Sequence, residues 1–246
     1  VFEFTSAPQP GTYTLAEVGE LTGNLADITV EGLSGKKYSL DYADGKLTIM
    51  VSNSRDSESV VWTGANGSIW DLMESENFNS SDKKFVSGDN VTFDDTAVKY
   101  DVKIDENLAP GNIVFDNNSK VYTLSGKGAI EGNGSVTLKG KSAVNIKNTN
   151  RYTGGTYIDG GYLRPATLAN KDGLEYGSLG AADNTITMSN QGKLWVNASM
   201  TSSHPIVLGE NGGQIETGTG TNLIVNGGIS KMNKGTNRDL YKLGSG

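Results

Sequence analysis

The chain of 246 residues has no cysteine and one histidine, His204. Disulfides, thiolate metal sites and His-rich zinc sites are therefore excluded. No apolar run approaches the roughly 18 residues a membrane-spanning helix needs. Basic clusters are also missing: Lys36-Lys37 and Lys83-Lys84 are isolated pairs in a chain of net charge −7. Phosphate recognition depends on clustered Lys and Arg, so a nucleic-acid partner is disfavoured. Only 35% of residues are apolar, against about 45–50% in typical globular domains, a figure that also counts glycine. There is neither an initiator methionine nor a secretory signal, as expected of a processed or excised piece.

Helical periodicity is nearly absent, with short exceptions at 71–76 and 166–174. In its place stand short runs of Val, Ile, Leu, Thr and Tyr, each closed by a turn signal. After residue 90 they read VTF, YDVKI, NIVF, VYTL, SVTL, AVNI, TYI, TITM, KLWV, PIVL, QIET and NLIV. Closely spaced short strands predict a sandwich, a barrel or a β-solenoid. Many runs are too short for a sandwich, and inward Val, Ile and Leu can stack from one rung to the next, so a solenoid fits best. The 33 glycines supply turns and corners. The periodicity is one of residue type; no exact internal repeat is found.

The first 58 residues follow another pattern. In YSLDYADGKLTIMV, residues 38–51, apolar residues alternate on both sides of Asp44-Gly45, which predicts a hairpin. SNSRDSES, residues 52–59, is polar and unpatterned and reads as a junction. In VVWTGANGSIWDL, Asn66-Gly67 can turn a second hairpin and bring Trp62 near Trp70. Such a pair can stack on a sugar, but more often it caps a core.

Several chemical motifs fail on spacing. GSVTLKGKS, residues 134–142, has five residues between its glycines where a phosphate loop needs four, and a strand-like AVNI follows instead of a helix. GKGAIEG, residues 126–132, misses the dinucleotide fingerprint by one residue. Asp94, Asp95, Asp101, Asp105 and Glu106 form an acidic run, but without EF-hand spacing, and read as solvated turn carboxylates. His204 precedes Pro205 with no G-x-S-x-G elbow and reads as a surface turn residue. A lyase on a β-helix would combine acidic calcium ligands with a basic Arg or Lys. Asp159, Arg164, Lys171 and Asp172 lie in or beside the chain's longest excursion, residues 164–184, where function would be placed on a solenoid, although a tolerated insertion is the plainer account.

One stretch is more specific. NRYTGGTYIDGGYL, residues 150–163, resembles the autotransporter-associated β-strand repeat through Asn150, Tyr152, Thr153, Gly154, Gly155, Thr156, Ile158, Gly161 and Leu163. SLG at 178–180, TITM at 185–188, PIVLGENGGQIET at 205–217 and KLGSG at 242–246 look like later parts of the unit. WTGANGSIWDL and GDNVTFDD resemble a module opening, with Phe78 where a second tryptophan is usual.

The resemblance implies a right-handed parallel β-helix in a large bacterial surface or secreted protein, acting mechanically and carrying binding elements outward. The expectation is an all-β chain: a hairpin segment over 1–58, a Trp-containing cap over 59–84 and a right-handed β-helix over 85–246. The expected function is non-enzymatic, structural and adhesive, with a carbohydrate-active module, glycan-binding or lyase-like, as the alternative. Ligand contacts are expected from Trp62, Trp70, Asp159, Arg164, Asp172 and Tyr176. No cofactor is expected. Expected partners are glycans or host surface molecules and neighbouring modules of the same protein, at the extracellular or outer-membrane surface, with no membrane-spanning segment.

Overall fold

A run of three to five residues with alternate apolar side chains buries one face only when another strand lies beside it. The computed structural model, which describes residues 1–6, 8–33, 36–232 and 238–246, meets this requirement with two large parallel sheets. The first has eight strands: Ser59–Val61, Asn90–Asp94, Ile113–Asp116, Val136–Leu138, Thr156–Asp159, Ile186–Ser189, Ile206–Leu208 and Ile229–Lys231. The second has seven: Asp101–Lys103, Tyr122–Ser125, Ala143–Ile146, Tyr162–Pro165, Gly192–Val196, Gly213–Thr217 and Leu240–Gly244. From Asn90 onward the chain visits the two sheets alternately, one strand in each per circuit. This all-β arrangement is compatible with the expected β-helix.

Register fixes the core. Val60, Val91, Ile113, Val136, Thr156, Ile186 and Ile206 align as one buried column of the eight-stranded sheet. Phe93, Phe115, Leu138, Ile158, Met188 and Leu208 form the next, with Phe93 and Phe115 stacked at 4.8 Å. In the other sheet Tyr122, Val144, Leu163, Leu194 and Ile215 align likewise. The step is 22 residues from Val91 to Ile113 and 20 from Val136 to Thr156, but 30 from Thr156 to Ile186, where residues 164–184 are accommodated. A comparable step of 31 separates Val60 from Val91.

The repeat-like stretch is part of this wall. Asn150 is buried, accepts from the Ile130 amide (2.9 Å) on one side and donates to the Ser178 carbonyl (2.8 Å) on the other. Tyr152 is buried with its hydroxyl 2.6 Å from Thr156 Oγ1. Gly134 explains the failed phosphate loop: a Cβ there would fall on the Gly111 carbonyl oxygen of the preceding circuit. Only hydrogen allows two backbones so close.

Three expectations are corrected. The segments 71–76 and 166–174 are bends and turns, because their backbones are held by neighbouring circuits; the described residues contain one short 3-10 helix, Leu25–Asp27. The parallel pairing of the eight-stranded sheet begins at Ser59, not at residue 85; a separate short parallel pair joins Phe2–Glu3 to Val30–Glu31. Trp62 and Trp70 do not face each other across a hairpin. Trp62 donates its amide to Thr92 at the edge of one sheet and Trp70 to Lys103 at the edge of the other, so the two backbones diverge. Both indoles instead meet Phe78 and Phe93 in a fully buried cluster.

The anticipated hairpin at 38–51 is present. Lys37–Ala43 and Lys46–Ser52 pair through Asp44 and Gly45, both at positive φ (49° and 74°), as a type I′ turn requires. Gly11–Glu17 adds a third antiparallel strand, and Leu47, Ile49 and Val51 are its buried row. The polar junction that follows is tightly held: Arg55 grips the buried Asp89 carboxylate with two bonds of 2.8 and 2.7 Å and pairs with Asp82 at 3.2 Å. No helix among the described residues is long and apolar enough to cross a membrane.

If close stacking of circuits sets stability, Gly134→Ala should cost about 2–4 kcal/mol, since the obstructing atoms are backbone and cannot rotate away. Gly19→Ala, where an added Cβ meets nothing within 4 Å, should stay within about 0.5 kcal/mol of the parent. Urea denaturation of both variants checks this, and equal midpoints would contradict the stacking account.

Candidate functional site

Residues that alternate inward and outward along a strand place a second set of columns in water. On the eight-stranded sheet one outward column reads Thr92, Val114, Thr137, Tyr157, Thr187 and Val207. Tyr157 is its only aromatic residue and is 42% exposed. Beside it lies a cleft of about 530 Å³ bordered by Asp159, Thr187, Asn190, Glu210 and Met232. Asp159 accepts a 2.6 Å bond from Asn190 Nδ2, and Asn190 Oδ1 in turn accepts a 2.7 Å bond from Asn211. A second hollow of about 280 Å³ lies against the same tyrosine, bordered by Thr153, Asp183 and Thr185.

The excursion carries its own cleft of about 490 Å³, lined by Lys171, Glu175, Tyr176 and Asp183. Its Tyr176–Gly177 and Gly180–Ala181 strands close a small antiparallel hairpin. Arg151 lies 5.6 Å from the Tyr176 ring. Asp172 is exposed on the turn of this excursion.

The six anticipated ligand residues do not converge. Trp62 and Trp70 are inside the core and offer no face to a sugar; Trp62 Nε1 donates to the Lys99 carbonyl at 2.8 Å. Asp159 belongs to the Tyr157 cleft, whereas Asp172 and Tyr176 belong to the excursion. Arg164 lies on the outward face of the seven-stranded sheet, its guanidinium 4.0 Å from the Trp195 ring. Tyr157, Asn190, Glu210 and Met232 were not anticipated. The alternation in TYID marks Tyr157 as outward, but nothing in the sequence aligns it with Asn190 or Glu210.

The acidic run serves turns. Asp95 accepts from the amides of Asn118, Ser119 and Lys120 in the next circuit, Asp105 pairs with Lys103 at 2.6 Å, and Glu106 accepts from Leu72. Among the described residues no group of three or more His, Cys, Asp or Glu side chains could hold a metal ion. Lys36, at the joint between the antiparallel sheet and the parallel ones, donates to Asn53 at 2.8 Å. Burial pushes its ammonium down to about 8, with Glu106 opposing.

His204 is the clearest correction: it is fully buried, not on a surface turn. Nδ1 lies 2.8 Å from the Asn184 carbonyl, which can only accept, so Nδ1 carries the proton and Nε2 accepts from the Ala169 amide at 3.3 Å. The ring thus ties both ends of the excursion to the wall. Burial holds its proton affinity below the ordinary value, against partial opposition from the Asn184 carbonyl and Asp183.

Compared with protein-family models, with curated proteins and with solved structures, the chain matches none.

Because the unfolded chain binds the His204 proton more readily than the folded one, the stability contributed by the neutral ring is complete above pH about 6.5 and is lost as pH falls below it. The melting temperature should therefore start to drop as pH falls below about 6.5, before most carboxylates titrate. His204→Gln should lower stability at neutral pH but flatten that drop. An unchanged slope in the variant would remove His204 as the titrating group.

Proposed function

We propose that the chain is a non-enzymatic structural and adhesive segment of a large bacterial cell-surface or secreted protein, folded as a right-handed parallel β-helix. The observation carrying this reading is the in-register stacking of eight and seven parallel strands over one continuous apolar core. A wall of this kind resists deformation along its stacking direction, because circuits separate only by breaking rows of backbone hydrogen bonds together. It also presents outward columns whose residues can vary without disturbing the core. The resemblance at 150–163 supports the same setting: Asn150, Tyr152, Gly154 and Thr156 all serve contacts within or between circuits. The extracellular or outer-membrane location, and glycans, host surface molecules and neighbouring modules as partners, belong to this proposal.

The alternative, a carbohydrate-active module, is favoured by one observation, the cleft beside Tyr157 with its carboxylates and amide. Of its two forms, the binding module needs only the groups that already border this cleft.

Beads coated with the chain should adhere to glycan-bearing surfaces, and incubation with acidic and neutral polysaccharides should release neither reducing ends nor unsaturated uronides. Small-angle scattering should give an elongated particle. Release of either product would overturn the non-enzymatic reading, and a spherical scattering profile would overturn the β-helix.

A further inference from the structure

The hollows on the two sides of Tyr157 differ from the rest of the outward surface in chemistry as well as in shape. The apolar surface at the first comes from the Tyr157 ring and from Met232, which is 52% exposed. Polar groups surround it: hydroxyls of Thr187 and Ser189, the Asn190 amide, and the carboxylates of Asp159 and Glu210. Across the ring, the second hollow adds Thr153, Thr185 and the Asp183 carboxylate. One exposed aromatic ring with hydroxyl and carboxylate groups on both sides and an amide on one matches a pyranose, which has apolar ring faces and a rim of hydroxyls.

The site is also held in place. Asn190 is fixed between Asp159 and Asn211, so amide and carboxylate are oriented before any ligand arrives. Asn190 and Asn211 occupy left-handed corners (φ 49° and 59°) of successive circuits, which places their side chains as a short ladder along the cleft. Pre-set polar groups of this kind reduce the ordering cost of binding.

Charge then selects the ligand. The residues lining both hollows include three carboxylates, Asp159, Asp183 and Glu210, and among the described residues no Lys or Arg. Sugar hydroxyls donate well to carboxylates, whereas a uronate or sulfate brought against them would be repelled. We infer that this groove binds an uncharged oligosaccharide, with one sugar ring stacked on Tyr157 and hydroxyls of its neighbours donating to Asp159, Glu210 and Asp183. The inference rests on the binding form of the carbohydrate reading and specifies its place and its ligand.

Titration calorimetry with uncharged hexasaccharides of glucose, mannose and N-acetylglucosamine, and with a galacturonate hexasaccharide, tests it. At least one uncharged ligand should bind and the galacturonate should not. Tyr157→Ala should weaken binding by about tenfold or more, equivalent to loss of roughly 1.4 kcal/mol of contact. Asp159→Asn should weaken it less, and Tyr38→Ala, which removes an exposed aromatic from the antiparallel sheet, should leave it unchanged. Tyr157 points into solvent, so circular dichroism of the alanine variant should match the parent. Galacturonate binding as tight as the uncharged ligands, or binding unaffected by Tyr157→Ala, would overturn the groove assignment. If binding is instead lost with Tyr176→Ala, the groove fails while the carbohydrate reading stands. If no sugar binds at all, both fail.

Discussion

The hydrogen bonds between successive circuits are the constraint on which the rest of this molecule depends. Each interior strand of the two large sheets takes its partners from the circuits before and after it, so no circuit satisfies its own backbone. That arrangement forces register, and register forces the columns: once Val91 lies beside Ile113, Phe93 must lie beside Phe115. A one-residue slip would turn every inward side chain of a strand outward. The buried asparagines follow from the same constraint. Where a corner interrupts the ladder, Asn150 and Asn184 replace the missing backbone partner, each accepting from an amide and donating to a carbonyl. These side chains act as extensions of the main chain.

Parallel sheets usually have both faces covered, because helices return over them. Here one face of each sheet meets water directly, and its composition shows how this is tolerated. Threonines recur in the outward column through Thr92, Thr137 and Thr187, pairing β-branched stiffness with a hydroxyl. The large outward side chains on the other sheet are paired off: Arg164 lies over Trp195, and Lys193 sits 4.7 Å from the Tyr162 ring while bonding Glu216 at 2.6 Å. Tyr157, on the eight-stranded sheet, has no such cover, and it is the aromatic residue of that outward column.

How much of this was readable in the sequence depends on range. Every run noted after residue 90 falls on a strand, because alternation and turn residues act within a few positions. The Asp44-Gly45 turn was readable for the same reason. What could not be read involves partners brought together by stacking. Arg55 and Asp89 are 34 residues apart, so a junction that reads as unpatterned polar sequence is a closed ion pair. Trp62 and Trp70 looked like hairpin partners because Asn66-Gly67 favours a turn; a turn does form there, but the backbone on either side of it pairs with Thr92 and Lys103. His204 looked superficial beside a proline, since no local signal reports that Asn184 and Ala169 close over it.

The candidate site shows the same division, and explains why a wall of this kind is suited to recognition. Tyr157 and Asp159 sit one residue either side of the inward Ile158, so their outward aim is legible. The cleft exists only because Thr187, Asn190 and Glu210 arrive from later circuits, set by a 30-residue step that no periodicity announces. Rigidity follows from that origin. Its polar groups stand on strands and corners already fixed by the ladder, so little order remains to be imposed when a ligand binds. The inward columns must satisfy packing at every position, while outward positions answer only to solvent and to each other. A site built from outward residues of stacked circuits can therefore change its chemistry without disturbing the fold, and its geometry is inherited from the register of the core.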